Sequence, residues 1–222
     1  MTKSSLTIEF GVVSCYAIEM EISKRKLFIN LFPSKWNMMG FNDTAAELIN
    51  SAIKKRYVQK GFEYAVVQEG DYRNTGILLY PDHNIRAKVD HDYQRKLKDG
   101  ITDIQYCDFA GLAEHLLPED YSEIALAGFH AFDCVSKLSH NLYKRNKNTM
   151  VDIDLTELFL DIAMKRDSND KRVANPEFNV GEYDPVKTYK FIIGSGIYSP
   201  EGVKIVREAF THPTYNLGKE VE

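Results

Sequence analysis

Apolar, strand-like runs alternate with amphipathic, helix-like segments along most of this chain, and this alternation limits its possible folds more than any other feature. An alternation of strands and helices favours a parallel sheet, because each helix returns the chain to the edge where the next strand starts. We therefore predict a three-layer α/β/α domain with a mostly parallel, Rossmann-like sheet. The candidate core strands are 27–32, 63–67, 123–128, 150–153 and 189–193, with weaker candidates at 75–80 and 85–89.

Capping signals set the expected helix boundaries. Thr44 and Glu47 have the spacing of a capping box at the start of the first helix. Residues 154–157 have the composition of a cap for a helix that runs to about residue 164. The sequence Ser199-Pro200-Glu201 predicts the start of the last helix, because it has an N-cap residue, a proline and an acid in their preferred order.

The chain is predicted to form a single domain over residues 1–222. Its 222 residues, 44% of them hydrophobic, suffice for one sizeable core but not for two full domains. Residues 1–24 are expected to be an N-terminal extension that forms an additional strand or hairpin. Residues 165–187 are polar and are expected to be an irregular excursion from the domain, and the tail after His212 is expected to be an extended arm.

Charge and cysteine content exclude several classes of function. The formal net charge is −4 and there is no long block of like charge, so we predict neither a nucleic-acid partner nor a membrane partner. No apolar run is long enough to span a bilayer, and the N-terminus lacks a signal-peptide pattern. The three cysteines, Cys15, Cys107 and Cys134, form an odd, sparse set that is typical of a reducing compartment, so the predicted location is cytoplasmic.

The segment 123–135 is the most informative for function. It predicts a buried strand that ends at Gly128, a short loop, and a helix that begins at Cys134. The positive end of a helix dipole can lower the pKa of a thiol, and the thiolate is the nucleophilic form. Cys134 is therefore a candidate nucleophile, although a free cysteine is more often a small buried hydrophobic residue.

The same segment resembles a known family. Gly128, six positions before Cys134, and the following Val135 are similar to the cysteine-loop signature of the isochorismatase-like hydrolases, which include the nicotinamidases. The next helix, around 137–144, and the strand at 148–152 match the family's order of elements. The resemblance covers roughly residues 25–165, and the cysteine loop carries it.

The resemblance implies a catalytic machinery centred on Cys134. In this family the cysteine attacks the substrate to form a thioester, and a lysine favours the thiolate. The segment 98–109 is similar to the family's lysine-containing segment, which makes Lys98 the expected lysine, with Lys96 and Lys88 as alternatives.

The resemblance also assigns an oxyanion hole to the loop before Cys134. The backbone N–H groups around His130, Ala131 and Asp133 would hold the negative charge of the intermediate. The family pattern places a cis peptide bond between His130 and Ala131.

The family's catalytic aspartate is replaced in this chain. Asn30 stands where the aspartate follows the first strand, and an amide cannot accept a proton as a carboxylate does. Asn30 would then orient the substrate or a water molecule, while a substitute acid such as Asp71 or Asp133 would serve as the base.

Three hypotheses follow. The first is a cysteine hydrolase that cleaves an amide or related bond of a small molecule. The second is a catalytically silent member of the family that binds a small molecule or a protein partner. The third is a different doubly wound domain.

No metal or other cofactor is predicted. Metal-dependent members of the family carry two histidines after the second strand, but here Arg73 stands in the place of the first. The six histidines of the chain show no ligand spacing. The expected partner is a small-molecule substrate or ligand, and the resemblance implies a homo-oligomer because family members commonly associate.

Overall fold

A five-stranded parallel sheet forms the centre of the protein. The structure, a computed structural model, describes residues 25–33, 41–68, 79–86 and 109–217. All neighbouring strands of this sheet run parallel, in the order β3-β2-β1-β4-β5. The strands are β1 (Arg25–Leu31), β2 (Phe62–Gln68), β3 (His83–Arg86), β4 (Tyr121–Gly128) and β5 (Thr149–Thr156).

Helices cover both faces of the sheet and complete the three-layer α/β/α, Rossmann-like fold that the alternation predicted. One face packs against α1 (Asp43–Arg56) and α4 (Phe159–Ala163). The other face packs against α2 (Phe109–His115), α3 (Cys134–Arg145), α5 (Pro185–Gly194) and α6 (Pro200–Phe210).

The central strand β1 separates two cores. Successive side chains of a strand point to opposite faces. Leu27, Ile29 and Leu31 accordingly belong to the core under α3, whereas Phe28 belongs to the core under α1. All four are buried, so the strand has the continuous apolar sequence of a parallel strand that is covered on both faces.

The strand order reverses between β1 and β4. From β1 the chain passes through α1 to β2 on one side, whereas β4 lies on the other side and is followed by α3 on the opposite face. In open α/β sheets the crevice at such a switch point, beyond the carboxyl ends of the strands, is the usual place for a ligand.

Of the three predicted helix caps, two are wrong and one is confirmed. The first helix is capped by Asn42, whose side chain accepts a hydrogen bond from the N–H of Ala45, and not by Thr44. Residues 154–157 do not cap a helix, because β5 continues to Thr156 and α4 begins only after it. The start of the last helix is as predicted, with the Ser199 side chain accepting from the N–H of Gly202.

The predicted final strand at 189–193 is part of a helix. Asp184 caps α5 by accepting from the N–H of Lys187, and Pro185 takes the first helical position, where no N–H is needed. Thr188, Tyr189 and Ile192 are buried, which is the spacing of one helix face. A short apolar run does not distinguish a strand from a buried helix, so capping and tertiary contacts decide its structure.

The excursion and the tail have more regular structure than expected. Residues 165–187 include most of an antiparallel hairpin, β6 (Met164–Arg166) and β7 (Arg172–Ala174). Residues 213–215 form a short 3₁₀ turn in which Thr214 and Tyr215 are fully buried, so this part of the predicted arm is not extended. Residues 218–222 lie outside the described residues.

Some predictions fall on residues that the structure does not describe. The N-terminal extension 1–24 and most of the weak candidate strand at 75–80 lie outside the described residues. In the described ranges, no helix combines the length and apolar composition needed to cross a membrane.

Candidate functional site

Gly128 brings the cysteine loop against the central strand. It ends β4 opposite Leu31, with a φ of 116°, and a Cβ at this position would overlap the backbone carbonyl oxygen of Leu31. The N–H of Phe129 then donates to that oxygen at 2.8 Å. Only glycine combines this conformation with so close an approach, so the loop starts at the switch point between β1 and β4.

Two non-glycine residues at the same edge of the sheet have left-handed backbone conformations. Phe32 follows β1 with a φ of 50°, and His130 follows β4 with a φ of 60°. Such conformations cost about 1–3 kcal/mol each and cluster at functional sites, where surrounding contacts hold them. The carbonyl of His130 accepts from the N–H groups of Asp133 and Val135 at 3.0 and 3.1 Å, which turns the loop into the helix.

Cys134 begins α3, as the sequence predicts. The residue is only 4% exposed and packs into the core beneath α3. Its thiol donates to a carboxylate oxygen of Asp133 at 3.8 Å. The structure therefore places a thiol, the start of a twelve-residue helix and a carboxylate together at the switch point.

Asp133 precedes the helix but does not cap it with its side chain. Its carboxylate forms an ion pair with Lys137 at 2.7 Å and lies 3.9 Å from Nδ1 of His130. Burial lowers the pKa of His130, which favours the neutral imidazole near pH 7. A thiol, a carboxylate, an imidazole and an ammonium group thus lie within one loop and the first turn of one helix.

Ala131 is fixed through both of its backbone polar groups. Its N–H donates to the two carboxylate oxygens of Glu157 at 3.0 and 2.8 Å, and its carbonyl accepts from the hydroxyl of Tyr215 at 3.0 Å. Burial raises the pKa of Glu157, while hydrogen bonds from backbone N–H groups, including that of Ala131, oppose the rise. The carboxylate of Glu157 thus binds the loop before Cys134 at its Ala131 amide.

Two amides of the predicted oxyanion loop have internal partners. The amide of Ala131 is bonded to Glu157, and the amide of Asp133 is bonded to the His130 carbonyl. The peptide bond between His130 and Ala131 is trans, so the expected cis bond is wrong. A substrate oxyanion would have to displace the carboxylate of Glu157 to reach the Ala131 amide.

Asn30 lies on the opposite face of the sheet from the thiol. It points to the same face as Phe28, and its amide nitrogen lies 3.4 Å from the hydroxyl of Tyr64 in the core under α1. Cys134 packs into the other core. The two side chains therefore belong to opposite faces of the sheet, and Asn30 as the residue that orients a substrate beside the thiol stays a prediction.

The expected lysine partner, Lys98, lies outside the described residues, as do its alternatives Lys96 and Lys88 and the other candidate acid, Asp71. Lys98 as the partner of Cys134 therefore stays a prediction. Within the described part of the site, the ammonium group next to the Asp133 carboxylate belongs to Lys137, one turn into α3.

A second cluster of buried charges lies beneath α1. Arg56 is 3% exposed and pairs with Asp152 at 2.9 Å and with Asp154 at 3.1 Å. The hydroxyl of Tyr57 donates to Asp152 at 2.7 Å, and that of Thr188 donates to Asp154 at 2.6 Å. These bonds join α1, β5 and α5, so the cluster holds the helices at the β5 edge of the sheet.

Two contributors to the site were not predicted from the sequence. Glu157 was expected to form part of a helix cap, and only the contact between the end of β5 and the loop before Cys134 shows that it binds Ala131. Lys137 follows Asp133 by four residues, which is the spacing of an exposed helix pair, and that signal was available.

The fold and the site define a class but no family. The chain is a Rossmann-like α/β protein with a cysteine-bearing loop at the switch point of its sheet. Comparison with known proteins found no match among protein-family models, curated proteins or solved structures.

Proposed function

We propose that this protein is an isochorismatase-like cysteine hydrolase that cleaves an amide or related C–N bond of a small molecule. The observation that carries the proposal is the contact between the Cys134 thiol and the Asp133 carboxylate at the switch point of the sheet. An open α/β sheet binds its ligands at this place, and a nucleophilic thiol needs a proton acceptor within reach.

In the proposed reaction Asp133 takes the role that the family gives to the aspartate replaced by Asn30. Its carboxylate accepts the thiol proton while the sulfur of Cys134 attacks the carbonyl carbon of the substrate. The proton then passes to the nitrogen of the leaving amine as the C–N bond breaks and a thioester forms. Water hydrolyses the thioester to the free acid and restores the thiol.

The neighbours of Asp133 support this role. Lys137 pairs with one carboxylate oxygen at 2.7 Å, and the thiol lies near the other oxygen at 3.8 Å. The ion pair holds the carboxylate toward the sulfur, and the start of α3 favours negative charge on Cys134.

Alkylation by iodoacetamide at neutral pH, with the modified residue identified by mass spectrometry, tests the nucleophile. We expect Cys134 to react faster than Cys15 and Cys107, and we expect Asp133→Asn to slow the reaction. Hydrolysis of a panel of small amides by the full chain should be abolished in Cys134→Ala. Equal reactivity of the three cysteines, or unchanged turnover in Cys134→Ala, would contradict the proposal.

A second candidate function is a catalytically silent member of the same family that binds a small molecule. It is favoured by the Glu157 carboxylate on the Ala131 amide, where an oxyanion would bind. For this candidate we expect no amide turnover in the wild type or in Glu157→Gln. A raised melting temperature with a small carboxylic acid or amide would show binding, and amide turnover by the wild type would exclude the silent form.

A further inference from the structure

The sulfur, nitrogen and oxygen atoms of three side chains in the cysteine loop lie close enough together to share a metal ion. The Cys134 sulfur, a ring nitrogen of His130 and a carboxylate oxygen of Asp133 all lie within 4.8 Å of one another. The spacing of the histidines does not indicate this site, because it uses a single histidine. The left-handed backbone at His130 turns the chain so that this residue lies near the start of the helix.

We propose that His130, Asp133 and Cys134 form a binding site for a thiophilic divalent cation of the Zn²⁺ type. Neutral imidazole, carboxylate and thiolate are donors that zinc takes in proteins, and three protein ligands with an open fourth position are typical of zinc sites that also bind water. Binding of the cation does not depend on the proposed hydrolase activity. A bound cation would also stop hydrolysis, and only this second statement rests on the proposed function.

The distances need only a small adjustment. Tetrahedral zinc with bonds of about 2.0–2.3 Å separates its ligand atoms by roughly 3.3–3.6 Å. The sulfur lies 3.8 Å from Oδ2 of Asp133, and Nδ1 of His130 lies 3.9 Å from the same oxygen. Rotation of the side chains of His130 and Asp133, which are 46% and 54% exposed, can close these gaps without moving the buried cysteine.

The charges around the site set the expected strength of binding. Lys137 pairs with the other oxygen of Asp133 at 2.7 Å, and the start of α3 carries a partial positive charge. Both oppose a cation, so the site is expected to bind more weakly than a structural zinc site. Lys137 is therefore a neighbour whose removal should strengthen binding, by about threefold to tenfold.

Binding would mask the nucleophile. The thiol loses its proton to solvent as the metal–sulfur bond forms, with no oxidation or reduction, and the sulfur lone pair is then no longer available to attack a substrate. Hydrolysis and alkylation at Cys134 should both stop at saturating metal and return after a chelator removes the metal.

Titration of the metal-free full chain with Co²⁺, and competition by Zn²⁺, tests the site. Co²⁺ bound to thiolate gives a sulfur-to-metal charge-transfer band, which we expect to saturate at an equimolar ratio of Co²⁺ to chain. Cys134→Ser should abolish the band, and His130→Ala and Asp133→Asn should each weaken affinity about tenfold or more. Lys137→Ala should strengthen it, and the matched control His140→Ala, on the same helix, should leave it unchanged.

Far-ultraviolet circular dichroism on each variant shows that the fold is retained. Absence of the charge-transfer band in the wild type, or a band that survives Cys134→Ser, would overturn the proposal. The two proposals fail separately: fast alkylation of the metal-free thiol without cobalt binding refutes only the metal site. Cobalt binding without any turnover or fast alkylation refutes only the hydrolase.

Discussion

Replacement of Gly128 by alanine tests whether the close approach between β4 and β1 sets the position of the cysteine loop. The φ of 116° is strained for alanine, and the new Cβ would overlap the carbonyl oxygen of Leu31. A backbone atom in a parallel sheet cannot move aside as a flexible side chain can. The two strands would have to separate at the point where the loop begins.

Two other glycines serve as controls that separate the cost of the backbone conformation from the cost of the atomic overlap. Gly61 has a φ of 81° but no atom within 4 Å of an added Cβ, so Gly61→Ala should cost only the conformational strain, about 1–2 kcal/mol. Gly194, at the end of α5, has neither strain nor contact, and Gly194→Ala should be neutral or stabilise by about 0.5 kcal/mol. Gly128→Ala carries the strain and also an overlap worth about 1–3 kcal/mol, for a total of about 2–5 kcal/mol.

Equilibrium unfolding in urea, followed by circular dichroism, measures the three free energies of unfolding. The dependence of free energy on urea should be similar in all three variants, because the surface exposed on unfolding is nearly the same. A loss in Gly128→Ala no larger than in Gly61→Ala would refute the packing argument. Faster alkylation of Cys134 in Gly128→Ala under native conditions would show that the loop itself has loosened.

Three further predictions concern buried polar groups. Arg56→Met leaves two buried aspartates without their cation and should cost about 3–5 kcal/mol in urea unfolding, whereas the surface variant Arg25→Met should cost far less. Burial raises the pKa of Asp154 to about 6, so the native state loses stability as pH rises from about 4 to 6. Over that range the stability of Asp154→Asn should rise by about 2–3 kcal/mol relative to the wild type, and a difference independent of pH would contradict this. Glu157→Ala leaves the buried N–H of Ala131 without its acceptor and should cost about 1–3 kcal/mol in the same assay. Glu157→Gln should cost less, and equal losses would show that the hydrogen bond is not the cause.

Much of the fold follows from local pattern. Four of the five central strands in the structure overlap the predicted core strands, because buried parallel strands need continuous apolar runs. The start of α3 at Cys134 and the end of β4 at Gly128 were also predicted, since a glycine that separates an apolar run from an amphipathic segment indicates the end of a strand. The wrong prediction of a strand at 189–193 shows where local pattern fails, because a short apolar run is compatible with both a strand and a buried helix.

The site was only partly predictable. The sequence singled out Cys134, and it named Asp133 both as an oxyanion-loop residue and as one of two substitute acids. It did not reveal that Glu157 binds the loop, because that contact joins residues 26 positions apart. The family resemblance made Asn30 a site residue, whereas the structure places its side chain on the opposite face of the sheet from the thiol.

Two properties of this protein come from local sequence: the parallel α/β architecture and the thiol at the start of a helix. Both depend on the period of apolar residues and on residues adjacent in the chain. Asp133, His130 and Lys137 are neighbours of Cys134 in the chain, so their proximity to the thiol is also local. Tertiary packing, in contrast, decides that Glu157 binds the N–H of Ala131 and that Asn30 lies on the opposite face of the sheet. Strand register and the switch point arise from the long-range packing of two cores, which no local pattern encodes.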